Sequence, residues 1–547
     1  MHRSVSRWLA GAAVALACAS IEPAGASAQT LQISDYATMP MTGRIEGTGN
    51  DGSLARVNFL RAEPGPAGRL FVNDLNGLLY ILDKDTRKFV TYLDFNGSGA
   101  RTGLFDKLTV ENGYANGLIS FQFDPDYARN GRFYTIHLED PEMPGSLVPD
   151  GAATPGLAVQ GYTPTAPIAT PGEIDREAVV IEWTDSNIAN TTFEGSAREL
   201  MRVQLNTRIH PMGDLIFNPT ARPGDPEWRV LYLACGDGGS GEQKTAMRLN
   251  PQRLDTLVGK ILRIVPDLAE HVETSTVSEN GRYRVPRDNP FAATVGARKE
   301  IWAYGFRNPH RLSWDVDAAS PANSRLIAAV IGLHAWETVD LVRKGGNYGY
   351  SQREGPQRLN DDNSRGDLPE VDMLPVHVTD TILDGMVAPQ YPVIAYPHAA
   401  GGGDAIAGGF VYRGSAIPAL RGKYIFGDIT TGHVWYADYA EMVAADDGKP
   451  ATLAQKHELQ IEWDNPADTP DAGRTGYPTM SPIVEAAYHL RGGKDPDMPG
   501  TSTVSGPKRV DMRFAVDGAG ELYILSKSDG MIRAVTGATL TAPSARN

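Results

Sequence analysis

The sequence contains very little cysteine and no long apolar segment beyond its first residues. Of its 547 residues only two are cysteines, Cys18 and Cys235. Once a leader containing Cys18 is removed, no intrachain disulfide is possible, so stability must come from a large hydrophobic core. The apolar run from Trp8 to Ser20 is too short for a membrane helix, and no later run is long enough. The sequence therefore predicts no membrane span.

Positive charge is also scarce. The chain has 51 Lys and Arg against 66 Asp and Glu, a formal net charge of −15. It also lacks the runs of basic residues that bind phosphates or anionic lipids. These features argue against nucleic acid and against an anionic membrane surface as partners.

The first 28 residues read as a secretory signal peptide. Arg3 and Arg7 precede the apolar run, and small residues at 26–28 form a cleavage site. We expect cleavage after Ala28 and a periplasmic or secreted product. Cys18 weakly resembles a lipoprotein cleavage box, but Ala15 stands where Leu is usual, so we do not expect lipid anchoring.

The remaining sequence consists of short strands separated by Gly, Asp, Asn and Pro. In residues 69–95, strands at Leu70–Val72, Leu79–Leu82 and Phe89–Leu93 are predicted, with a turn at Asp74–Gly77. Because one small sheet cannot bury both its faces, such units stack radially in a β-propeller. We predict an all-β fold, a six-bladed β-propeller over residues 29–547; a β-sandwich or two smaller β domains is the alternative. Similar units occur at 123–138, 213–239, 408–437 and 512–535.

Three long stretches interrupt these units. They are the Pro/Gly/Thr-rich residues 141–172 and the polar residues 352–390 and 444–508. Long insertions on a compact scaffold are commonly functional, so we expect them to border a binding face.

The stretch 300–315 carries the clearest candidate site. A buried strand at Ile301–Tyr304 breaks at Gly305 and presents Arg307 and Asn308 before Pro309. A guanidinium suits carboxylate or quinone oxygens, and the adjacent amide both donates and accepts hydrogen bonds. The alternative is a surface turn with a solvated Arg.

Eight segments, in order, resemble the soluble quinoprotein glucose dehydrogenase and aldose sugar dehydrogenase family (glucose/sorbosone dehydrogenases). The resemblance implies a six-bladed propeller that uses pyrroloquinoline quinone and calcium. It covers a core of about residues 115–428. The segments are ANGLISFQFDPDYARNGRFY, IHPMGDLIFNP, LYLACGDGGSG, RLDTLVGKILRIVP, YRVPRDNPFA, EIWAYGFRNPHRLSWD, KGGNYGYSQREG and GGFVYRGSAIPALRGKYIFGD.

The resemblance assigns roles to individual residues. His210 is implied as the catalytic base that contacts the sugar, and Arg307 and Asn308 as the pair over the quinone. The backbone carbonyls of Gly332 and Leu333 are implied as calcium ligands, and oxygen donors suit that ion. Asn116 falls where relatives place a polar sugar contact. Glu337 and Asp340 could support a nearby metal or be solvated turn acids.

The sequence departs from the family pattern at the cations expected for the three carboxylates of the cofactor. Thr430 or Thr431 stands where the familiar glucose enzyme has a Lys, and Arg509 and Arg513 only loosely match its Arg pair. Asp214 adds an acid near His210. These differences leave the fold prediction unchanged and the cofactor open.

Other catalytic motifs have little support. The glycine-rich loop at 236–241 lacks a following Lys-Ser/Thr, so we interpret it as an inter-strand loop on the ligand face, and we interpret Cys235 as a buried hydrophobe. Two functions remain. The first is an exported quinone-dependent dehydrogenase that oxidises an aldose to a lactone and passes electrons to a periplasmic acceptor. The alternative is a calcium-containing propeller that binds glycan or another ligand without redox turnover. A calcium-dependent lactonase would need several carboxylates around the metal.

Overall fold

The computed structural model describes residues 29–47, 52–65, 68–99, 101–111, 115–316, 319–320, 323–399, 401–466, 473–504 and 506–540. The predicted signal peptide, residues 1–28, lies outside the described residues.

Within these ranges the chain forms six sheets of four or more strands. Sheet 1 contains β2 (Val57–Ala62), β3 (Leu70–Asp74), β4 (Leu78–Leu82) and β5 (Phe89–Asp94). Sheet 2 contains β6 (Leu118–Phe123), β7 (Arg132–Glu139), β9 (Arg176–Asp185), β10 (Gly195–Leu205) and the short β8 (Leu157–Ala158). Sheet 3 contains β11 (Met212–Phe217), β12 (Leu231–Cys235), β13 (Lys260–Ile264) and β16 (Ile301–Tyr304).

The second half of the chain repeats this arrangement. Sheet 4 contains β17 (Asn308–Trp314), β18 (Leu326–Ile331), β19 (Trp336–Val342) and β25 (Ile394–Pro397). Sheet 5 contains β26 (Ile406–Val411), β27 (Lys423–Asp428), β28 (Val434–Asp438) and β29 (His457–Glu458). Sheet 6 contains β34 (Met512–Val516), β35 (Leu522–Ser526), β36 (Met531–Thr539), β1 (Thr30–Thr38), β30 (Gln460–Trp463) and β31 (Thr475–Tyr477).

The insertions contain short hairpins, a small sheet and short helices. The hairpins are β14 (Ser275–Val277) with β15 (Arg284–Pro286), β23 (Leu374–His377) with β24 (Leu383–Val387), and β32 (Thr501–Ser502) with β33 (Gly506–Pro507). Strands β20 (Arg353–Glu354), β21 (Gln357–Leu359) and β22 (Arg365–Gly366) form a small sheet. The helices are α1 (Tyr127–Asn130), α2 (Tyr439–Ala445), α3 (Ser481–Leu490) and 3-10 turns at Ala246–Gln252 and Pro418–Leu420. Over the described part of the chain, none of the helices combines the length and the apolar character that crossing a membrane requires.

The six sheets follow one another in a cycle. The first strands β2, β6, β11, β17, β26 and β34 pack side by side in that order, and β34 packs against β2. A separate apolar cluster fills the space between each sheet and the next; between sheets 1 and 2, for example, Phe71 packs with Phe121 and Trp183. Because each sheet is covered on both faces, its second strand is buried throughout, as in β3, β12 and β35.

Sheet 6 joins the first and the last segments that the structure describes. Strand β1 pairs antiparallel with β36 and parallel with β30. Sheet 6 thus takes strands from residues 30–38 and from residues 460–539. The N-terminal segment is therefore part of the last sheet.

The strand order places the candidate residues on one face. In an antiparallel sheet the start of the first strand and the turn between the second and third strands meet at the same edge. Loops before β6, β11, β17 and β34, and turns after β12, β18 and β35, therefore lie at corresponding edges of their sheets. We call this the upper face, and its loops and strand starts contain Asn116, His210, Arg307, Asn308, Gly332, Leu333 and Arg509, whereas Arg513 lies within β34.

Candidate functional site

His210 lies in the loop before β11 and is oriented by a buried carboxylate. Its Nδ1 is 2.7 Å from Oδ1 of Asp237, whose side chain is inaccessible to solvent. The same carboxylate accepts the backbone N–H groups of Gly239 at 2.9 Å and Gly241 at 2.8 Å. With Nδ1–H donating to Asp237, the other ring nitrogen, Nε2, carries the lone pair that can accept a proton.

The glycine-rich loop at 236–241 wraps around the side chain of Asp237. Gly238 and Gly239 have φ angles of +60° and +71°, in the left-handed region that glycine adopts without strain. A side chain at Gly236 would place its Cβ 2.3 Å from the carbonyl oxygen of His210. As predicted, this loop lies between two strands, β12 and β13. Cys235 before it is fully buried, as predicted, and burial raises the pKa of its thiol to about 12.

Arg307 connects the His210–Asp237 pair to the turn after β18. Its carbonyl oxygen accepts the N–H of Asp237 at 2.7 Å. Its Nη2 donates to Glu242 at 2.8 Å, and its Nη1 donates to the carbonyl oxygen of Gly332. Burial lowers the pKa of Arg307, but the negative charges of Tyr350 (when ionised), Glu242 and Asp237 more than compensate and raise it. His210, Arg307 and Gly332, widely separated in sequence, are therefore brought together at one place.

The turn carrying Gly332 and Leu333 is fixed by two buried carboxylates. Glu337 accepts the N–H of Gly332 at 3.0 Å, and Glu354 accepts the N–H of Leu333 at 2.8 Å. The carbonyl of Gly332 faces the guanidinium of Arg307. A cation and a guanidinium repel each other, so this arrangement does not fit a calcium ion on that carbonyl unless Arg307 moves. Among the described residues no group of three or more His, Cys, Asp or Glu side chains could hold a metal.

Asn308 and Asn116 occupy comparable positions. Asn308 is the first residue of β17 and lies opposite Ile331 in the sheet register. Asn116 precedes β6 and is fully buried, yet neither Oδ1 nor Nδ2 of its amide has a hydrogen-bond partner among the described residues. Because buried amides are nearly always hydrogen-bonded, this group is suited to a polar ligand or a water molecule.

The two arginines of the predicted pair lie in different environments, Arg509 at a cavity and Arg513 in the interior. Arg509 lines an open cavity of about 600 Å³, together with Leu333, His398 and Asp404. Arg513, on β34, is buried and donates Nη1 to the carbonyl of Met512 at 2.7 Å. Burial, together with the charge of Arg509, lowers the pKa of Arg513 to about 10 despite the attraction of Asp511.

The Thr residues at the position of the expected Lys have a structural role. Thr430 donates its hydroxyl to Asp428 at 2.8 Å and also to Asp404, and the hydroxyl of Thr431 donates to Asp428 at 3.0 Å. Both hydroxyl groups are therefore bound to carboxylates, and neither Thr430 nor Thr431 is among the residues that line the cavity of Arg509.

Asp214 does not add negative charge at the cavity. It is completely buried on β11, where it pairs with Arg61 at 2.6 Å and accepts hydrogen bonds from Ser120 and from the N–H of Leu312. Glu337 and Asp340 are also buried. Glu337 accepts a hydrogen bond from the N–H of Gly332, and its Oε1 lies 2.8 Å from Nε2 of His398. Asp340 accepts a hydrogen bond from Thr338 on the same strand.

Two of the three insertions contribute to the site. Glu354 comes from residues 352–390, and the cavity wall at 501–504 comes from residues 444–508. The insertion 141–172 instead packs along sheet 2, where Ile168 bridges to Val203. Sequence reasoning missed Asp237 as the partner of His210. The available signal was the glycine-rich loop around it.

Comparisons with known proteins show which family and which relatives the chain resembles. A sequence profile of the family described as Glucose / Sorbosone dehydrogenase matches residues 62–456. The HIPL1 protein of Arabidopsis thaliana is 27% identical over 397 residues, covering 70% of this chain and 52% of that protein. The quinoprotein glucose dehydrogenase B of Acinetobacter calcoaceticus is 21% identical over 339 residues, covering 60% and 58%. The chain spans about half the length of the curated relatives it matches first.

A solved structure supports the fold. The soluble aldose sugar dehydrogenase of Escherichia coli, in its apo form, superposes with a TM-score of 0.50 at 16% identity, covering 88% of this chain and 96% of that one. At this identity the likeness shows the fold alone.

Proposed function

The chain belongs to the glucose/sorbosone dehydrogenase family, and from this premise we propose that it is a quinone-dependent sugar dehydrogenase that oxidises an aldose at its anomeric carbon to a lactone. The observation that carries the proposal is the His210–Asp237 pair beside Arg307. A base held by a buried carboxylate next to a fixed guanidinium is what removal of a hydroxyl proton requires.

In this proposal the side chains have separate tasks. His210 accepts the proton of the anomeric hydroxyl at Nε2 and stays oriented by Asp237. Arg307 binds the oxygen that becomes negative, as an oxyanion-binding group does. Asn308 and Asn116 hydrogen-bond the ligands on either side. Pyrroloquinoline quinone, when bound, supplies the acceptor of the two electrons.

The residues present fit an anionic quinone better than they fit calcium. Arg307 and Arg509 offer guanidinium groups at the upper face, and guanidinium groups bind carboxylates through paired hydrogen bonds. Calcium at the carbonyls of Gly332 and Leu333 rests on the resemblance alone, because Arg307 already bonds the Gly332 carbonyl.

The remaining features complete the proposal. The six sheets are six blades of one propeller over residues 29–547, supported by the cyclic order of their first strands. The protein is exported after cleavage of residues 1–28 and works in the periplasm or outside the cell. Its electrons then pass to an acceptor in that compartment.

The test is a titration of the purified protein with pyrroloquinoline quinone, with and without calcium, followed by absorbance and by dye-linked aldose oxidation. We expect saturable binding and turnover. His210→Ala should lower turnover by roughly 10²–10⁴-fold, the usual contribution of a general base. His489→Ala, on the exposed face of α3, is the control and should leave turnover unchanged. Absence of saturable quinone binding would overturn the proposal.

A ligand-binding propeller without redox turnover is the second candidate. Two observations favour it. Thr430 stands where the resemblance places a lysine, and its side chain carries no positive charge. Arg307 is already hydrogen-bonded to Glu242 and to the carbonyl oxygen of Gly332. Calorimetry with glycans would show binding in the absence of any quinone if this candidate is right. No observation favours a lactonase, since the described residues hold no cluster of carboxylates suited to a metal.

A further inference from the structure

An apolar face lies exposed on the hairpin of β23 and β24. Leu374 pairs with Val387 in the register and Pro375 with Met386, and directly opposite residues share a face of the hairpin. Leu374 is 2% exposed and Met386 is 56% exposed, so the face that carries Met386 is turned to solvent. The exposed large apolar side chains of this segment, which we call the hairpin patch, are Val371, Met373, Ile382, Leu383 and Met386.

The other face of the hairpin is fixed to the body of the protein. Val376 packs against the apolar cluster between sheets 2 and 3, and Val378 is buried. The carbonyl oxygen of His377 accepts the N–H of Leu254 at 2.9 Å. The hairpin patch is therefore presented on a firm support. Several exposed apolar side chains on one such face are typical of a surface that binds a partner.

The hairpin patch is accompanied by negative charge. Residues 366–390 contain five Asp and Glu and no Lys or Arg. Asp372 is paired with Arg353, but Glu370 and Asp384 are exposed and form no ion pair with any described residue. Carboxylates beside an apolar centre favour a partner whose own contact surface is basic. The net charge of −15 attracts such a partner from a distance.

The insertion 352–390 connects the hairpin patch to the candidate site. Arg353 and Arg307 line one small cavity of about 40 Å³. Arg353 is also paired with Asp372 at the foot of the hairpin, and the next residue, Glu354, holds the turn between β18 and β19. Electron transfer between proteins is fast only over short distances. A surface joined to the site by one ion pair is therefore suited to an electron acceptor.

A second copy of this chain fits the hairpin patch less well. Strand β24 pairs only with β23 among the described residues, so its outer edge is open to another strand. Two copies would, however, bring two acidic segments together, and like charges across an interface are unfavourable. Complexes between redox proteins are small and transient, so a single hairpin offers a sufficient surface for one.

We propose that the hairpin patch docks the electron acceptor of the dehydrogenase, a basic redox protein with an apolar contact surface surrounded by lysines. The inference rests on the proposed function, because the acceptor is needed only if the protein oxidises its ligand. Oxidation of one aldose to its lactone releases two electrons and two protons. The electrons reduce two molecules of a one-electron acceptor, and the protons pass to water. Small dyes reach the site without using this surface.

The experiment uses the full-length mature protein and mitochondrial cytochrome c, a basic haem protein, as the probe. Calorimetry at low ionic strength measures binding of the oxidised cytochrome. Haem absorbance measures its reduction in the presence of pyrroloquinoline quinone and an aldose, and dye-linked turnover is measured in parallel. Cytochrome c with acetylated lysines tests the need for positive charge on the partner.

The apolar part of the surface is tested with Leu383→Ser/Met386→Ser. Binding and reduction of the cytochrome should each fall at least about fivefold, the effect of losing an important apolar contact. Dye-linked turnover and the unfolding temperature should stay at the wild-type values, because both side chains are exposed. Val277→Ser, at a 54% exposed side chain on the hairpin of β14 and β15, is the matched control and should retain reduction.

The acidic part is tested with Glu370→Gln/Asp384→Asn. Reduction of the cytochrome should be slower at low ionic strength and should depend less on salt than in the wild type, because fewer charges attract the partner. Glu279→Gln, whose side chain is 78% exposed, is the control for loss of a surface charge elsewhere.

The outcomes separate the surface from the function. Equal reduction of the cytochrome by wild type and hairpin variants would overturn the docking surface and leave the dehydrogenase intact, as would a wild type that turns over dye but does not bind the cytochrome. Hairpin-dependent binding without dye-linked turnover would support the surface and overturn the quinone-dependent function. A dimer in sedimentation that the apolar variant dissociates would assign the patch to a second copy and overturn the proposal.

Discussion

Asp340 is a buried carboxylic acid whose environment opposes ionisation. Burial is the main cause, with a further contribution from Asp446, and together they raise its pKa to about 7 even though Thr338 donates a hydrogen bond to it. The folded protein therefore holds this proton up to about pH 7, whereas an unfolded Asp releases it near pH 4. Between these values the stability contributed by the neutral acid falls as pH rises.

This environment gives a prediction for Asp340→Asn. The amide cannot ionise, so at pH 8 the variant should be more stable than the wild type by about 2–4 kcal/mol, and the difference should vanish near pH 4. Denaturant unfolding of both proteins at the two pH values measures this. Asp361→Asn, on a fully exposed side chain, serves as the control and should show no such difference.

Individual site residues differ in how far the sequence could predict them. His210, Arg307 and Asn308 stand in ordered motifs, and the structure places His210 and Arg307 in one connected set. Asp237 was missed because its pairing with His210 depends on a loop that folds back over 27 residues.

The turn between β18 and β19 is the element on which the candidate site depends most closely. A Cβ at Gly332 would lie 1.8 Å from the carbonyl oxygen of Trp336, so the backbone itself requires glycine there. The same turn directs the Gly332 carbonyl toward Arg307. A side chain at this position must therefore shift the turn and the guanidinium together.

Gly332→Ala should destabilise the protein by about 1–3 kcal/mol, the usual cost of overpacking, and weaken quinone binding through the displaced Arg307. Gly401→Ala is the matched control, because a Cβ there would meet no atom within 4 Å. Denaturant unfolding and the quinone titration measure the two effects. Normal stability and normal binding in Gly332→Ala would contradict this account of the turn.

Strands and turns were more predictable than the pairing of distant elements. The strands predicted from Leu70 to Leu93 appear as β3, β4 and β5, because each is a short apolar run that ends in Asp or Gly. The place of β1 in sheet 6 was not predicted. Its partner β36 begins nearly five hundred residues later, and local patterns carry no information about such pairing.

At the scale of the whole molecule, the cycle of sheets is held together where β1 enters sheet 6. Ile33 on β1 is fully buried in the apolar cluster between sheets 5 and 6. On the same strand Asp35 accepts hydrogen bonds from Trp463 and Arg533. Strand β1 therefore ties together segments from both ends of the described chain.

Ile33→Ala should lower the free energy of unfolding by about 2–4 kcal/mol, the range for truncating a buried aliphatic side chain. It should also increase amide exchange in β36 more than in β3, because β36 loses support from its neighbour. Ile382→Ala, at a side chain that is 56% exposed, is the control. Uniform exchange across all sheets would show that β1 does not act as a local tie.

The position of β1 also constrains when folding can finish. Strand β1, at residues 30–38, has its antiparallel partner at residues 531–539. A growing chain must therefore keep residues 30–38 without this partner until residues 531–539 have been made. Sheet 6 is completed only after that point, and a variant cut before residue 531 would leave the edge of β1 that faces β36 exposed.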